Sequence, residues 1–123
     1  WDAIDSGTPT SLSQIATEDR RRISGEAILE AAMAGDTVSH EIIATAGYYV
    51  GVGLSLVVQI LSPEVIVVGG GLTHMRDYLW KPALHAYREN TQPEIADRVT
   101  ITPWTLGEDV TVLGAAALAL SMR

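Results

Sequence analysis

The chain has 123 residues, no cysteine and a formal charge of −7. That length fits one domain at most, long enough to bury a core but near the lower end of comfortable domain size. The acidic balance offers no basic face for a nucleic-acid backbone, and the missing cysteines exclude disulfides and thiolate metal sites, which fits a reducing cytoplasm.

The opening stretch has neither the basic nor the apolar run of a signal peptide and begins at Trp1, so it reads as trimmed rather than exported. Residues 1–23 are expected to form a polar arm, with Asp5, Ser6, Gly7 and Pro9 marking 1–11 as a loop. A second unit, residues 24–123, opens at Ser24. This serine can cap a helix that carries Ile28, Ala31 and Ala32 on one face and stops at Gly35. Asp36 is placed to cap the next helix, predicted from about Val38 to Leu61, in which positions 42–63 carry no charge.

An uncharged run of that length invites a membrane reading, and Gly47 and Gly51 match the small-xxx-small spacing of paired membrane helices. Pro63 and Glu64, however, lead straight into Val65-Ile66-Val67-Val68, a short apolar run typical of a buried parallel strand. A helix buried in an α/β core is therefore expected, with Gly47, Gly51 and Gly53 as close-packing points. After Gly69-Gly70-Gly71 a helical region is predicted over 73–90, interrupted near Lys81-Pro82 because proline has no backbone donor. Val99 to Thr102 reads as a second strand, which makes a βαβ unit. A loop over 103–109 and an alanine-rich helix over 110–122 complete the chain.

The glycines Gly69, Gly70 and Gly71 form the one segment with a chemical signature. A buried strand that ends in glycines before a helix presents backbone N–H groups at one point, suited to a phosphate or to close approach of a nucleotide. It is not a GxGxxG run and lacks the lysine and hydroxyl of a P-loop, so a simple tight turn is an equal reading. Asp109 reads first as a helix cap and Gly114 to Ala117 as a packing surface. Arg20-Arg21-Arg22 reads as a solvated face, His74 as a solvated histidine near a possible ligand, and Tyr48, Tyr49 and Trp80 as packing residues. His40, His74 and His85 lack the spacing of a metal site, and no spacing in the chain marks a catalytic or metal-binding set.

Three pieces taken in order resemble the end of ROK-family proteins, the sugar kinases and sugar-responsive repressors. They are Ala31 to Asp36; the run from Gly47 through Pro63 to Gly71; and Leu106-Gly107-Glu108-Asp109 with Val112 to Ala119. The resemblance covers about residues 24–121. It implies an α/β fold, part of the second lobe of an actin-like ATPase (ribonuclease H-like) fold. In it, Gly69, Gly70 and Gly71 lie beside the adenosine of ATP in members that bind it. The family's phosphate loop, sugar ligands and zinc loop would all lie before Trp1, so ATP and zinc are cofactors of a full-length parent, and no catalytic or metal residue is assigned here.

The intact glycines look like the kinases; the Leu106–Asp109 segment and the 113–118 ending look more like the repressors. A fragment of a transcriptional regulator is the leading reading and a fragment of a glucokinase-like kinase the alternative. A small non-catalytic α/β interaction domain is the reading from a different class. The implied partners are a second copy of the chain, a sugar through the missing lobe, and DNA only through a missing N-terminal domain, in the cytoplasm and away from membranes.

Overall fold

The computed structural model describes residues 2–105 and 110–121. Both caps foreseen at the helix starts are present. Ser24 accepts a hydrogen bond from the Ala27 N–H and opens α3 (Gly25–Met33); Asp36 accepts from the Ser39 N–H and opens α4 (Thr37–Leu61). Between them Gly35 turns the chain at φ +93°. At the far end of α4, Ser62 adopts a left-handed conformation and returns its N–H to the Val58 carbonyl, and Pro63 prevents the helix from going on.

Two strands follow the expected pattern. β1 (Val65–Val68) and β2 (Thr100–Pro103) pair in parallel, with Val65 opposite Thr100 and Val68 opposite Pro103. Between them lie a 3-10 turn over Gly71–Met75, helix α5 (Arg76–Glu89) and the short α6 (Pro93–Ala96). The predicted break at Lys81-Pro82 is absent, and α5 runs through Pro82. The interruption falls instead at Arg76, whose φ of +47° separates the 3-10 turn from the helix. Pro82 is held in the helix by its neighbour, since it lies against Gly47 of α4, and that packing offsets one lost backbone bond.

The core lies along the seam between α4 and α5. Ala32, Ile43 and Leu79 form one cluster, with Ile28, Leu29, Ala46, Met75 and Tyr78 around it. Leu54, Val58 and Tyr87 form the other, which holds Ile66 and Val68 of β1 and Ile101 of β2. Between the clusters the two helix backbones nearly touch. A Cβ on Gly47 would lie 2.5 Å from the Leu79 carbonyl oxygen, and one on Gly51 would collide with the Ala83 carbonyl and sit 2.8 Å from the Ala86 Cβ. Gly53 does not share this role, because a Cβ there would meet nothing within 4 Å; two residues after Gly51, it points to the opposite face of the helix.

Burial of α4 is one-sided. Ser39, Ile43, Gly47, Gly51, Leu54, Ser55 and Val58 make a buried stripe, the i, i+4, i+7 pattern of a helix that faces one neighbour. Ile42, Tyr48, Tyr49, Leu56, Ile60 and Leu61 are exposed, and Tyr48 and Tyr49 touch only edge-to-face rather than packing in the core as expected. This helix is long and apolar enough to cross a membrane by length and composition, yet its buried stripe serves α5. The same one-sidedness holds for β1, where Ile66 and Val68 meet the core while Val65 and Val67 are exposed. The final helix α7 (Val110–Ser121) shows Val112, Leu113, Leu118 and Leu120 to the surroundings.

The N-terminal segment is more ordered than a loop. It contains α1 (Asp2–Asp5) and α2 (Leu12–Asp19), and Leu12 is buried. It is anchored at Asp36, whose carboxylate accepts from the Thr10 hydroxyl at 2.9 Å, the Ser11 N–H at 2.6 Å and the Ser11 hydroxyl at 2.9 Å. Burial alone would raise the Asp36 carboxyl. The N–H groups of Ser39 and Ser11 and the hydroxyls of Ser11 and Thr10 outweigh it and hold the group well below the ordinary carboxylate range.

Candidate functional site at the glycine turn

β1 delivers Gly69, Gly70 and Gly71 to one end of the two-stranded sheet, and the three glycines differ in why they are glycine. A Cβ on Gly69 would run into the indole of Trp104, which lies across it. Gly70 has φ +103°, a conformation that disfavours any side chain, although the space around it is open. Gly71 has neither demand: a Cβ there would meet nothing within 4 Å, and its backbone lies outside the positive-φ region. Thr73 braces the turn, since both its N–H and its hydroxyl donate to the Gly70 carbonyl, at 3.0 and 2.7 Å.

Trp104 was not singled out from the sequence, although a signal for it exists. In a parallel pair with Val68 opposite Pro103, the next residues in line are Gly69 and Trp104. The Trp104 N–H donates to the Val68 carbonyl at 3.0 Å, so the indole covers Gly69 because of the strand register.

Two cavities flank the turn and share Gly71. One, of about 310 Å³, is lined by Val50, Val68, Gly69, Gly70, Gly71, Thr73, Leu79 and Trp80. The other, of about 360 Å³, lies between α3 and the 3-10 turn, lined by Gly25, Glu26, Leu29, Gly71, His74 and Met75. Both volumes fall in the range of roughly 300–1,000 Å³ typical of small-molecule sites. Among the described residues neither is lined by a lysine or an arginine. A 3-10 turn rather than an α-helix follows the glycines, and α5 begins at Arg76 with no side-chain cap. The strong dipole of a long helix is therefore not presented at the turn.

The remaining candidates divide. His74 is exposed and lines the α3 cavity, and Trp80 lines the β1 cavity. Arg21 and Arg22 are exposed, and Arg22 pairs with Glu18 at 2.6 Å. Leu106, Gly107, Glu108 and Asp109 lie outside the described residues. Among the described residues a Cβ on Gly114 would find nothing within 4 Å, and Gly114 to Ala117 are exposed. Among the described residues no three histidine, aspartate or glutamate side chains gather as a metal site.

The ROK family model matches residues 1–122 and so takes in the segment before Ser24. Glucokinase of Halalkalibacterium halodurans is 29% identical over 91% of this chain and 34% of its own length. The DNA-binding transcriptional repressor Mlc of Escherichia coli is 25% identical over 79% of this chain and 24% of its length. Among solved structures, a protein of Cytophaga hutchinsonii assigned as a sugar kinase superposes with a TM-score of 0.81 at 29% identity, over 96% of this chain and 38% of its own. A ROK-family transcriptional regulator homologous to Mlc gives 0.72 at 25% identity, over 83% of this chain and 24% of its own. The chain spans a quarter to about two fifths of these relatives, and its fold is part of the actin-like ATPase fold they share. With matches that run from the arm through the glycine turn to the last helix, the chain belongs to the ROK family.

Proposed function

We propose that this chain is the nucleotide-facing part of a ROK-family sugar-handling protein, in which the turn of Gly69, Gly70 and Gly71 lies against the adenosine end of ATP. The single observation that carries the reading is Gly71. Trp104 accounts for Gly69 and backbone conformation accounts for Gly70, but nothing in the described chain accounts for a glycine at 71. Open space over a backbone with no Cβ suits a flat ligand that must come close. Phosphate fits less well, since among the described residues no cation lines either cavity, and phosphate sites use positive charge or a helix start.

Both kinds of parent have relatives here. The sequence favours a sugar-responsive transcriptional regulator on residues 106–109 and 113–118. The geometry adds support to the sugar-kinase alternative, because a regulator that uses no nucleotide has no need of an open Gly71. In either case the sugar is held by segments outside this chain, and a regulator's DNA contact lies there too. The protein works in the cytoplasm, and the uncovered apolar faces of α4 and α7 are where it meets the rest of its fold or a second copy.

The test is calorimetric titration of ATP into the natural polypeptide that carries this sequence, with an assay of hexose-dependent ADP formation beside it. ATP binding is the predicted result, and turnover with a hexose would assign the kinase branch. A protein that binds its sugar but no adenine nucleotide would contradict the assignment of the turn. The 123-residue chain alone is predicted to phosphorylate nothing, because phosphoryl transfer requires donor and acceptor to be positioned together.

A further inference from the structure

We propose that the cleft between the first turns of α4 and α5 is a separate small-molecule site, shaped for a neutral polyhydroxylated ring such as a pyranose. It shares no lining residue with the two cavities at the glycine turn, and it does not rest on the nucleotide reading or on the sugar held outside this chain.

The cleft has a volume of about 470 Å³ and is lined by His40, Asp77, Tyr78, Lys81 and Pro82. That volume suits a small molecule. Its rings are held in place: Tyr78 packs against the cluster of Ala32, Ile43 and Leu79, and His40 meets the Tyr78 ring edge-on with 5.7 Å between centroids. Pro82 is pinned against Gly47 of α4. Proline has no N–H to give to the carbonyl four residues earlier, so the Tyr78 carbonyl lacks its usual α-helical donor. An acceptor is thereby left beside the cleft.

The side chains around it supply both halves of a hydrogen bond. Asp77 accepts and Lys81 donates; they stand 3.1 Å apart as an exposed i, i+4 pair, so two adjacent hydroxyls of one ligand can engage both. Their opposite charges cancel, which favours neither an anion nor a cation. Among the described residues neither the His40 ring nor the Tyr78 hydroxyl has a hydrogen-bond partner, and both are left for the ligand. A pyranose has a flat C–H face and a rim of hydroxyls that donate and accept. It matches a lining of tyrosine and proline edged by these groups, whereas an aliphatic ligand would leave the polar edge unpaired at a cost in desolvation.

The experiment follows the His40 ring by NMR in the natural polypeptide made with isotope-labelled histidine, its signal identified by its loss in His40→Gln. Methyl β-glucopyranoside and myo-inositol are the neutral probes, and inorganic tripolyphosphate is the anionic one. The signal should shift saturably with a neutral probe and not with tripolyphosphate. A hydrogen bond to a charged group is worth about tenfold in affinity, so Asp77→Ala and Lys81→Ala should each weaken the response about tenfold. A His40 signal that neither neutral probe moves would overturn the proposal, as would tighter binding of tripolyphosphate. A shift that both alanine variants leave unchanged would show that the ring senses a sugar bound elsewhere, and the proposal would fail on that result too. An exposed pair of this kind contributes little to stability, and a melting curve for each variant separates loss of binding from loss of fold.

Discussion

The glycines of helix α4 and those of the turn after β1 are alike in sequence and opposite in what they show. Gly47 and Gly51 are glycines because another helix occupies the space a side chain would take; the Leu79 and Ala83 carbonyls stand there. Gly71 is a glycine whose added Cβ would meet nothing within 4 Å among the described residues. A glycine filled by the fold reports on stability; an empty one within a helix, such as Gly53, bears only on helix propensity, whereas Gly71 is empty where two cavities meet.

The largest effect should come from Gly51→Ala. The new methyl would overlap the Ala83 carbonyl and crowd the Tyr87 N–H at 2.9 Å. Both contacts are backbone, so the helices must separate. A loss of about 3 kcal/mol is predicted, the upper end of overpacking and larger than the ~1 kcal/mol that alanine gains in helix propensity. Urea unfolding measures it, and an unchanged midpoint would mean that α4 and α5 do not meet as described.

Asp36→Ala should follow. It removes a helix cap and the anchor of residues 10 and 11, and a loss of about 2 kcal/mol is predicted. The pH dependence has a definite sign. The folded carboxyl lies below its unfolded value, so the unfolded chain takes up the proton more readily. The contribution is complete above about pH 4, the ordinary aspartate value, and fades as the pH falls below it. Melting curves from pH 7 to pH 3 should show the wild type and Asp36→Ala converging in acid; a gap that widens there would contradict the hydrogen bonds to Asp36.

Gly53→Ala sharpens the contrast from the other side. Among the described residues nothing beyond the adjoining backbone of its own helix lies within 4 Å of the new methyl, so alanine should stabilise by about 0.5–1 kcal/mol through helix propensity alone. Loss of stability there would show that the outer face of α4 is covered.

Much of this division was legible in the residues, and some was not. Ser24, Gly35 and Asp36 announced the helix boundaries because capping is local chemistry, and Val65 to Val68 announced a strand by composition. Periodicity could not separate Gly53 from Gly47 and Gly51, because that depends on which face of α4 meets α5. Pro82 misled for a similar reason, since its place in α5 is secured by Gly47 of another helix. The even burial expected of α4 and β1 was read from unbroken apolar composition, which says that a surface wants cover but not what supplies it. At the turn, three consecutive glycines looked equivalent, and only the strand register, which brings Trp104 beside Gly69, and the φ of Gly70 set Gly71 apart.

The most direct measurement is therefore Gly71→Ala in the natural polypeptide, with ATP affinity by calorimetry and thermal stability measured on the same preparation. Gly70→Ala is the poorer probe, because strain at φ +103° would disturb the fold as well. The account predicts that Gly71→Ala melts within about 0.5 kcal/mol of wild type, as an unstrained exposed substitution should, while ATP binds at least several-fold more weakly. Unchanged ATP affinity in a fully folded Gly71→Ala protein would contradict the claim that the turn is where the nucleotide approaches.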